Sequence, residues 1–107
     1  MNTFFMFGKY SAASLREIHA RRTSQVNEWI TKNGGRVCQT YALMGEYDVV
    51  FIVELPSMTD AMKAAVALGR MTGISFSTCA AMQVEEFDRM SDELETEIES
   101  ARMEAGE

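Results

Sequence analysis

Residues 44–54, MGEYDVVFIVE, join a tight-turn signal to five consecutive apolar side chains. Gly45 and Glu46 fit a two-residue type II′ hairpin loop, because glycine adopts the positive φ needed at the first loop position without steric cost. Residues 49–53 are apolar in both phases of a strand, which is typical of a central strand buried on both faces. The stretch therefore predicts a hairpin that leads into the middle of a β-sheet.

The register of this predicted hairpin divides its side chains between two faces of the sheet. Met44 would face Tyr47 and Leu43 would face Asp48, and successive residues of each strand then alternate. One face would carry Gln39, Tyr41, Leu43, Asp48, Val50 and Ile52. The opposite face would carry Cys38, Thr40, Ala42, Met44, Tyr47, Val49, Phe51 and Val53. Polar side chains on the first face would therefore lie beside aliphatic ones.

Hydrophobic spacing predicts three helices. Ser11 can cap the first, whose apolar residues recur at three- and four-residue intervals until Asn33-Gly34-Gly35. Ser57 can cap the second, which would carry on one face Met58, Ala61, Met62, Ala65, Leu68 and Gly69. The third is a long acidic closing helix with one apolar stripe, formed by Val84, Phe87, Met90, Leu94, Ile98 and Ala101. The nine methionines are expected at core positions, where their flexible side chains would fill gaps.

Strands at residues 3–10, 36–44, 48–55 and 74–82 complete the order β-α-β-β-α-β-α. This order predicts an α+β fold, a ferredoxin-like βαββαβ antiparallel sheet with a long extra C-terminal helix. Strands one and three would be central, and strands two and four would be the edges. Cys38 and Cys79 would then lie on opposite edges, beyond the roughly 4.4–6.8 Å between Cα atoms that a disulfide needs. We expect both thiols to be free, in buried strand positions.

The two central strands are apolar on both faces, although helices of this fold cover only one. Leaving about four such side chains in water would forgo roughly 1.5–3 kcal/mol each, which approaches the whole stability of a small domain. We expect a second copy to pack sheet against sheet and close a barrel-like core. The closing helix could instead fold back over the face, or its last two turns could extend into solvent. Its many carboxylates leave a narrow seam, which favours an arm or coiled-coil contact.

Composition limits the classes of function. At 107 residues the chain forms one domain, and its net charge of −6 is unevenly distributed. Residues 85–107 hold ten acidic and two basic side chains, whereas residues 1–84 hold six acidic and eight basic ones. Without a basic stripe we expect no nucleic-acid partner, although the weakly basic body suits a small anionic ligand.

Several signals for location and cofactors are absent from the sequence. It has no apolar run of about 18 residues, so we expect no membrane span. The first ten residues lack a basic leader and a cleavage site, which favours a cytoplasmic location. The cysteine spacing and the single His19 indicate no metal site, and no cofactor motif is present.

Short motifs along the chain resemble those of the GYD domain family. They are GKY at 8–10, the Gly pair before strand two, Y-x-x-x-GEYDVV at 41–50, VELP at 53–56, and T-x-x-A with EEF at 78–87. The resemblance covers about residues 3–88. It implies a ferredoxin-like subunit of the dimeric α+β barrel type, and it supplies no catalytic residues. We therefore expect a GYD-like domain at residues 1–88 and an acidic helical extension at residues 89–107.

Five residues are candidates for contact with a small ligand: His19, Gln39, Tyr41, Tyr47 and Asp48. Asp48 could act as a general base or as a hydrogen-bond acceptor, or it could be a turn aspartate that accepts backbone N–H groups. Tyr41 and Tyr47 could orient a ligand, or they could be core residues with one satisfied polar tip. His19 could exchange protons near neutral pH or could mark the boundary of the core.

These observations favour a homo-oligomeric, small-molecule-binding or accessory protein, with an aromatic or anionic ligand and no cofactor. A cofactor-independent monooxygenase or isomerase that uses His19, Tyr41 and Asp48 is the alternative. A structural assembly subunit is the third possibility. The sequence leaves open whether the protein is an enzyme.

Overall fold

The computed structural model describes residues 1–15 and 20–106, and its strands and helices follow the predicted order. The elements are β1 (Asn2–Tyr10), α1 (Ala12–Leu15), α2 (Ala20–Lys32), β2 (Arg36–Ala42), β3 (Val49–Leu55), α3 (Met58–Thr72), β4 (Ile74–Ala81) and α4 (Val84–Glu104). The strands form one antiparallel sheet in the order β2-β3-β1-β4. The predicted ferredoxin-like α+β fold, with two central strands and a long C-terminal helix, is therefore confirmed. Residues 16–19 of the predicted first helix lie outside the described part.

The core lies between the sheet and the helices α2 and α3. On β1 and β3 the paired residues Phe4 and Val53, and Met6 and Phe51, point to this side. The largest fully buried side chains are Phe51, Met6, Ile30, Leu55, Leu68, Ile74, Val26 and Val53. Each such side chain contributes roughly 1.5–3 kcal/mol by leaving water, so this layer is the main source of stability.

Two neighbouring glycines end α2 where the sequence predicted its stop. Gly34 has a φ of 84°, and its N–H donates to the Thr31 carbonyl at 3.2 Å. The Gly35 N–H donates to the Ile30 carbonyl at 3.0 Å, which completes a Schellman motif. A Cβ at Gly35 would collide with the Glu54 carbonyl oxygen and lie 2.7 Å from a methyl of Leu55. The bare backbone at this turn therefore lets α2 approach β3.

The buried face of α3 differs from the predicted one. Ser57 caps the helix as expected, and its hydroxyl accepts the Asp60 N–H at 3.2 Å. Ala61, Ala64 and Leu68 are buried against the sheet. Met58 and Met62, which were predicted to share that face, are exposed. Small alanines bring α3 close to the sheet, and this leaves the long methionine side chains on the outer surface.

The prediction for the methionines as a group is also wrong. Met6 is buried, but the other eight are exposed. They lie at Met1, Met44, Met58, Met62, Met71, Met82, Met90 and Met103. The methionines of this protein therefore contribute to its surface far more than to its core.

The prediction that both cysteines are buried is also wrong. Cys38 and Cys79 lie on the opposite edge strands β2 and β4, as predicted, but both are exposed. Cys38 falls at a shift in the pairing of β2 with β3, between Val37 and Gln39. An edge strand has a neighbour on one side only, so residues placed there are less covered than those of β1 and β3.

The helix α4 extends away from the rest of the domain and buries none of its side chains. Its apolar stripe is present as predicted, but stripe residues such as Phe87 and Ile98 are 54% and 42% exposed. The helix is continuous across residues 88 and 89, the expected domain boundary. Its 21 residues span about 31 Å, so α4 accounts for much of the 64 Å length of the molecule.

Candidate functional site

The sheet face turned away from α2 and α3, here called the open face, is lined by apolar side chains at its centre. Phe5 and Phe7 of β1 lie there beside Val50 and Ile52 of β3. The ring centroids of Phe5 and Phe7 are 6.3 Å apart, and the Tyr47 ring follows at 5.3 Å from Phe7. Three aromatic rings therefore form a row along this face, here called the aromatic row.

The position of Tyr47 differs from the predicted one because the hairpin loop is longer than expected. The Leu43 N–H donates to the Asp48 carbonyl at 2.8 Å, so residues 44–47 form the loop. The predicted pairing of Leu43 with Asp48 is confirmed, whereas the two-residue loop at Gly45 and Glu46 is wrong. Because Tyr47 precedes β3 rather than belonging to it, its ring can turn to Phe7 on the open face.

Tyr41 and Gln39 form a polar pair at the β2 edge of the open face. Their strand partners are Val50 and Ile52, which agrees with the predicted faces. The Tyr41 hydroxyl donates to Oε1 of Gln39 at 2.7 Å. Tyr41 is 49% exposed, so a ligand on the open face could reach both the ring and the hydroxyl.

Asp48 connects the hairpin to the end of β1. Its carboxylate Oδ2 accepts the Tyr10 N–H at 2.8 Å, and its own N–H donates to the Gly8 carbonyl at 2.9 Å. The side chain is half-buried. These contacts satisfy backbone groups where β1 leaves the sheet, so Asp48 acts here as a structural acceptor.

The five predicted ligand residues thus occupy different places. Gln39 and Tyr41 contact each other, Tyr47 joins the aromatic row, and Asp48 faces the end of β1. His19 lies outside the described residues. Sequence reasoning missed Phe5 and Phe7 as site residues, although their alternation with the buried Phe4 and Met6 was a usable signal.

A groove lies at the other end of the open face, beside the start of α4. Its lining includes Phe5, Ile52, Glu54, Ala81, Val84 and Arg89. Here Arg36 of β2 forms an ion pair with Glu54 of β3. The hydrogen bond from Arg36 lowers the pKa of the Glu54 carboxyl, and the same bond raises the pKa of Arg36. The pair ties the two strands together at their exposed edge.

Within residues 1–15 and 20–106, no three His, Cys, Asp or Glu side chains are placed to hold a metal ion together. None of the helices described is both long and apolar enough to cross a membrane.

The sheet order and the uncovered face define a small ferredoxin-like α+β domain with an aromatic open face. Comparison of the sequence with protein families agrees with this class. The GYD domain matches residues 4–91, so the chain belongs to the GYD domain family. The search of curated proteins gives no significant match.

Solved structures with the same fold include an AsnC family transcriptional regulator and a leucine response regulatory protein. The leucine response regulatory protein of Mycobacterium tuberculosis is 11% identical with a TM-score of 0.59, over 77% of this chain and 51% of that one. FFRP-DM1 is 24% identical with a TM-score of 0.54, over 77% of this chain and 100% of that one. A hypothetical protein of Pyrococcus horikoshii is 25% identical with a TM-score of 0.51, over 78% and 92% respectively. This chain spans about half the length of the leucine response protein.

Proposed function

We propose that this protein forms homo-oligomers that bind a small aromatic or anionic molecule between the open faces of two copies. The observation that carries the proposal is the aromatic row, bordered by the hydroxyl and amide of Tyr41 and Gln39. Aromatic walls with a few well-placed polar groups are typical of small-molecule sites. In this proposal the protein is a binding or accessory protein.

A second copy is the partner that suits the open face. Phe5, Phe7 and Ile52 are each only partly covered in a single chain. Covering their remaining exposed area would add a fraction of the roughly 1.5–3 kcal/mol that complete burial of such a side chain contributes. A two-fold axis would place the same apolar surface of each copy on the other, which is the commonest arrangement of homodimers. Two such sheets would form the barrel-like core expected from the sequence.

Two features support the class of ligand. A flat ring could stack on the aromatic row, because aromatic groups pack favourably at centroid distances of about 4.5–7 Å. Lys9 pairs with Ser75 on the same side of the sheet and is exposed, so an anionic group could be neutralised there. The excess of basic over acidic side chains in residues 1–84 would also attract an anionic ligand.

The structural neighbours guide the choice of probes. One neighbour is described as a leucine response regulatory protein and another as an AsnC family transcriptional regulator. At 11% and 16% identity they share the fold, and this chain spans about half of each. We therefore choose leucine and phenylalanine as first probes, with benzoate as an aromatic anion. We propose no nucleic-acid contact, because the projecting α4 carries nine carboxylates and two cations.

Native mass spectrometry of freshly purified protein tests the pairing and the ligand together. We expect an even number of copies carrying additional mass. The Ile52→Glu variant should weaken pairing, whereas Thr59→Glu, an exposed position on α3, adds the same charge and should leave pairing unchanged. A monomeric wild type would contradict the proposal, and an even-numbered assembly that binds no probe would favour a structural subunit.

Titration calorimetry with the three probes tests the site. Tyr41→Phe removes the hydroxyl and should weaken binding about three- to tenfold, as expected for one lost hydrogen bond. Tyr10→Phe is the matched control, because Tyr10 pairs with Ile74 on the helix-covered side of the sheet. Equal affinity of wild type and Tyr41→Phe would exclude the proposed polar contact.

The proposal includes a cytoplasmic location. Its support is the pair of exposed cysteines on opposite edge strands, since unpaired surface thiols are typical of reducing compartments. Labelling of Cys38 in intact cells with a thiol reagent that cannot cross membranes tests it. We expect labelling only after lysis, and labelling of intact cells would place the protein outside.

A further inference from the structure

The outer surface of the two packed helices carries an apolar groove, separate from the open face. This α2–α3 groove is lined by Trp29, Met62, Lys63, Val66, Ala67 and Arg70. Met62 and Val66 lie one helical turn apart and are 66% and 55% exposed. Trp29 is the single tryptophan of the chain and forms one wall of the groove. Exposed methionine surfaces of this kind are common where proteins bind helices.

The apolar stripe of α4 has the form that such a groove accepts. Phe87, Leu94 and Ile98 follow one another at intervals of seven and four residues, so they lie along one narrow seam of the helix. All three are at least 42% exposed. No α4 side chain is fully buried, and Leu94 and Ile98 lie beyond the groove that Phe87 lines with its own sheet, so this part of the seam is available to a second molecule.

The charges on the two surfaces are complementary. The α4 helix carries nine acidic and two basic side chains. The α2–α3 groove is bordered by Lys63 and Arg70, and Lys32 lies beyond Trp29 on α2. Pairing of α4 with α4 would instead bring two strongly acidic helices together, and their like charges would repel each other.

We propose that α4 of one copy docks in the α2–α3 groove of another copy. Its stripe packs on Trp29, Met62 and Val66, and its carboxylates face Lys63 and Arg70. The contact joins two different surfaces, so each copy can give an arm and receive one. It uses neither the open face nor the aromatic row, and it therefore goes beyond the proposed function.

Complementation between two full-length variants tests this contact. The arm variant carries Leu94→Asp with Ile98→Asp, and the groove variant carries Met62→Asp with Val66→Asp. All four positions are exposed, so the core stays intact. Sedimentation velocity measures the assembly. Each variant alone should form the largest species only at a protein concentration at least about tenfold higher than the wild type needs. An equimolar mixture should associate again, because the intact arm of one variant meets the intact groove of the other.

Thr96→Asp with Met103→Asp is the matched control for the arm variant. These positions lie on the side of α4 opposite Leu94, and they add the same two charges. We expect this control to assemble like the wild type. A second test leaves the apolar contacts in place, since Lys63→Glu with Arg70→Glu reverses only the charges of the groove and should also weaken assembly.

Trp29 provides a readout of the groove itself. Its emission should shift to shorter wavelength as the wild-type concentration rises, because docking removes water from the indole. The arm variant should show no such shift.

If α4 pairs with α4 instead, the groove variant should assemble like the wild type. The mixture of arm and groove variants should then not regain the largest species. Either result would overturn the proposal. Unchanged mass in all variants would also overturn it, whether or not another protein uses these surfaces. If the open-face proposal is wrong, the Ile52→Glu variant will pair as well as the wild type. That result does not depend on the arm and groove variants, so the two proposals are tested independently.

Discussion

The strand β3 and the helix α4 both carry regularly spaced apolar residues, but these residues have different environments. Phe51, Val53 and Leu55 are at most 2% exposed, whereas Leu94 and Ile98 of α4 are more than 40% exposed. The difference does not come from the apolar pattern, which is clear in both elements. It comes from the neighbours, since β3 lies between two strands and beneath α3, while α4 extends beyond the sheet.

Periodicity therefore identifies which residues share a face but not which surface covers that face. Burial depends on a second element with a matching surface. For β3 the matching surface belongs to the same chain. For α4 and for the open face it belongs, in our proposals, to another copy.

The largest contrast should appear between Phe51→Ala and Leu94→Ala. Phe51 is buried at the centre of the sheet, so its truncation should lower the free energy of unfolding by about 3–5 kcal/mol. Leu94→Ala should change it by about 0.5 kcal/mol or less, because Leu94 is 48% exposed. Urea denaturation at a protein concentration low enough to prevent assembly measures both. A large loss in Leu94→Ala under that condition would show that α4 packs on its own domain.

Gly35→Ala and Gly34→Ala should separate steric collision from backbone strain. A Cβ at Gly35 would meet the Glu54 carbonyl oxygen, which cannot move without disturbing β3, so we expect a loss of about 1–3 kcal/mol or more. At Gly34 the nearest atom would be 3.5 Å away and only the positive φ opposes alanine, which should cost about 1 kcal/mol. Thermal unfolding of the pair gives the order. A smaller loss for Gly35→Ala would mean that α2 can move away from β3.

Asp48→Ala and Asp48→Asn should distinguish an anchoring role from a chemical one. The alanine variant leaves the Tyr10 N–H without its acceptor, which should cost about 1–2 kcal/mol. The asparagine variant keeps an acceptor oxygen and should lose less. Hydrogen exchange at the Tyr10 amide reports the contact directly, and it should accelerate in the alanine variant only. Equal exchange in both variants would contradict the anchoring role.

The smallest effect should come from the exposed ion pair between Arg36 and Glu54. Because Arg36 lowers the pKa of Glu54 in the folded state, the pair stabilises the fold above the ordinary carboxyl value of 4.5. This stabilisation should disappear as the pH falls through the lowered, folded-state pKa. The difference in unfolding free energy between wild type and Glu54→Gln, measured from pH 7 to pH 3, should follow this course. In an Arg36→Gln background the difference should no longer depend on pH in this way.

Much of the fold could be predicted from local signals. Gly34 and Gly35 mark the end of α2, Ser57 marks the start of α3, and the apolar run of β3 identifies a central strand. Each of these depends on backbone geometry or on a regular pattern within a few residues. The element order then leaves few possible sheet arrangements.

The candidate site was less predictable because it depends on contacts between distant residues. The Tyr47 ring reaches Phe7 only because the hairpin loop has four residues, and a single Gly-Glu signal does not specify that length. The Asp48 carboxylate meets Tyr10, which is 38 positions away in the sequence. Met58 and Met62 were misplaced because alanines of α3 took the buried positions, and composition alone does not show which of two apolar residues faces inward.

The exposure of eight methionines also has a consequence for oxidation chemistry. Peroxide converts a thioether to a polar sulfoxide, and it reaches surface sites first. Met6 is fully covered, so the core is protected, whereas Met62 lies open in the α2–α3 groove. Oxidation would therefore make the outer helical surface more polar while leaving the interior unchanged. A single Met62 sulfoxide would place a hydrogen-bond acceptor in the middle of an apolar contact surface, and methionine sulfoxide reductases could reverse it.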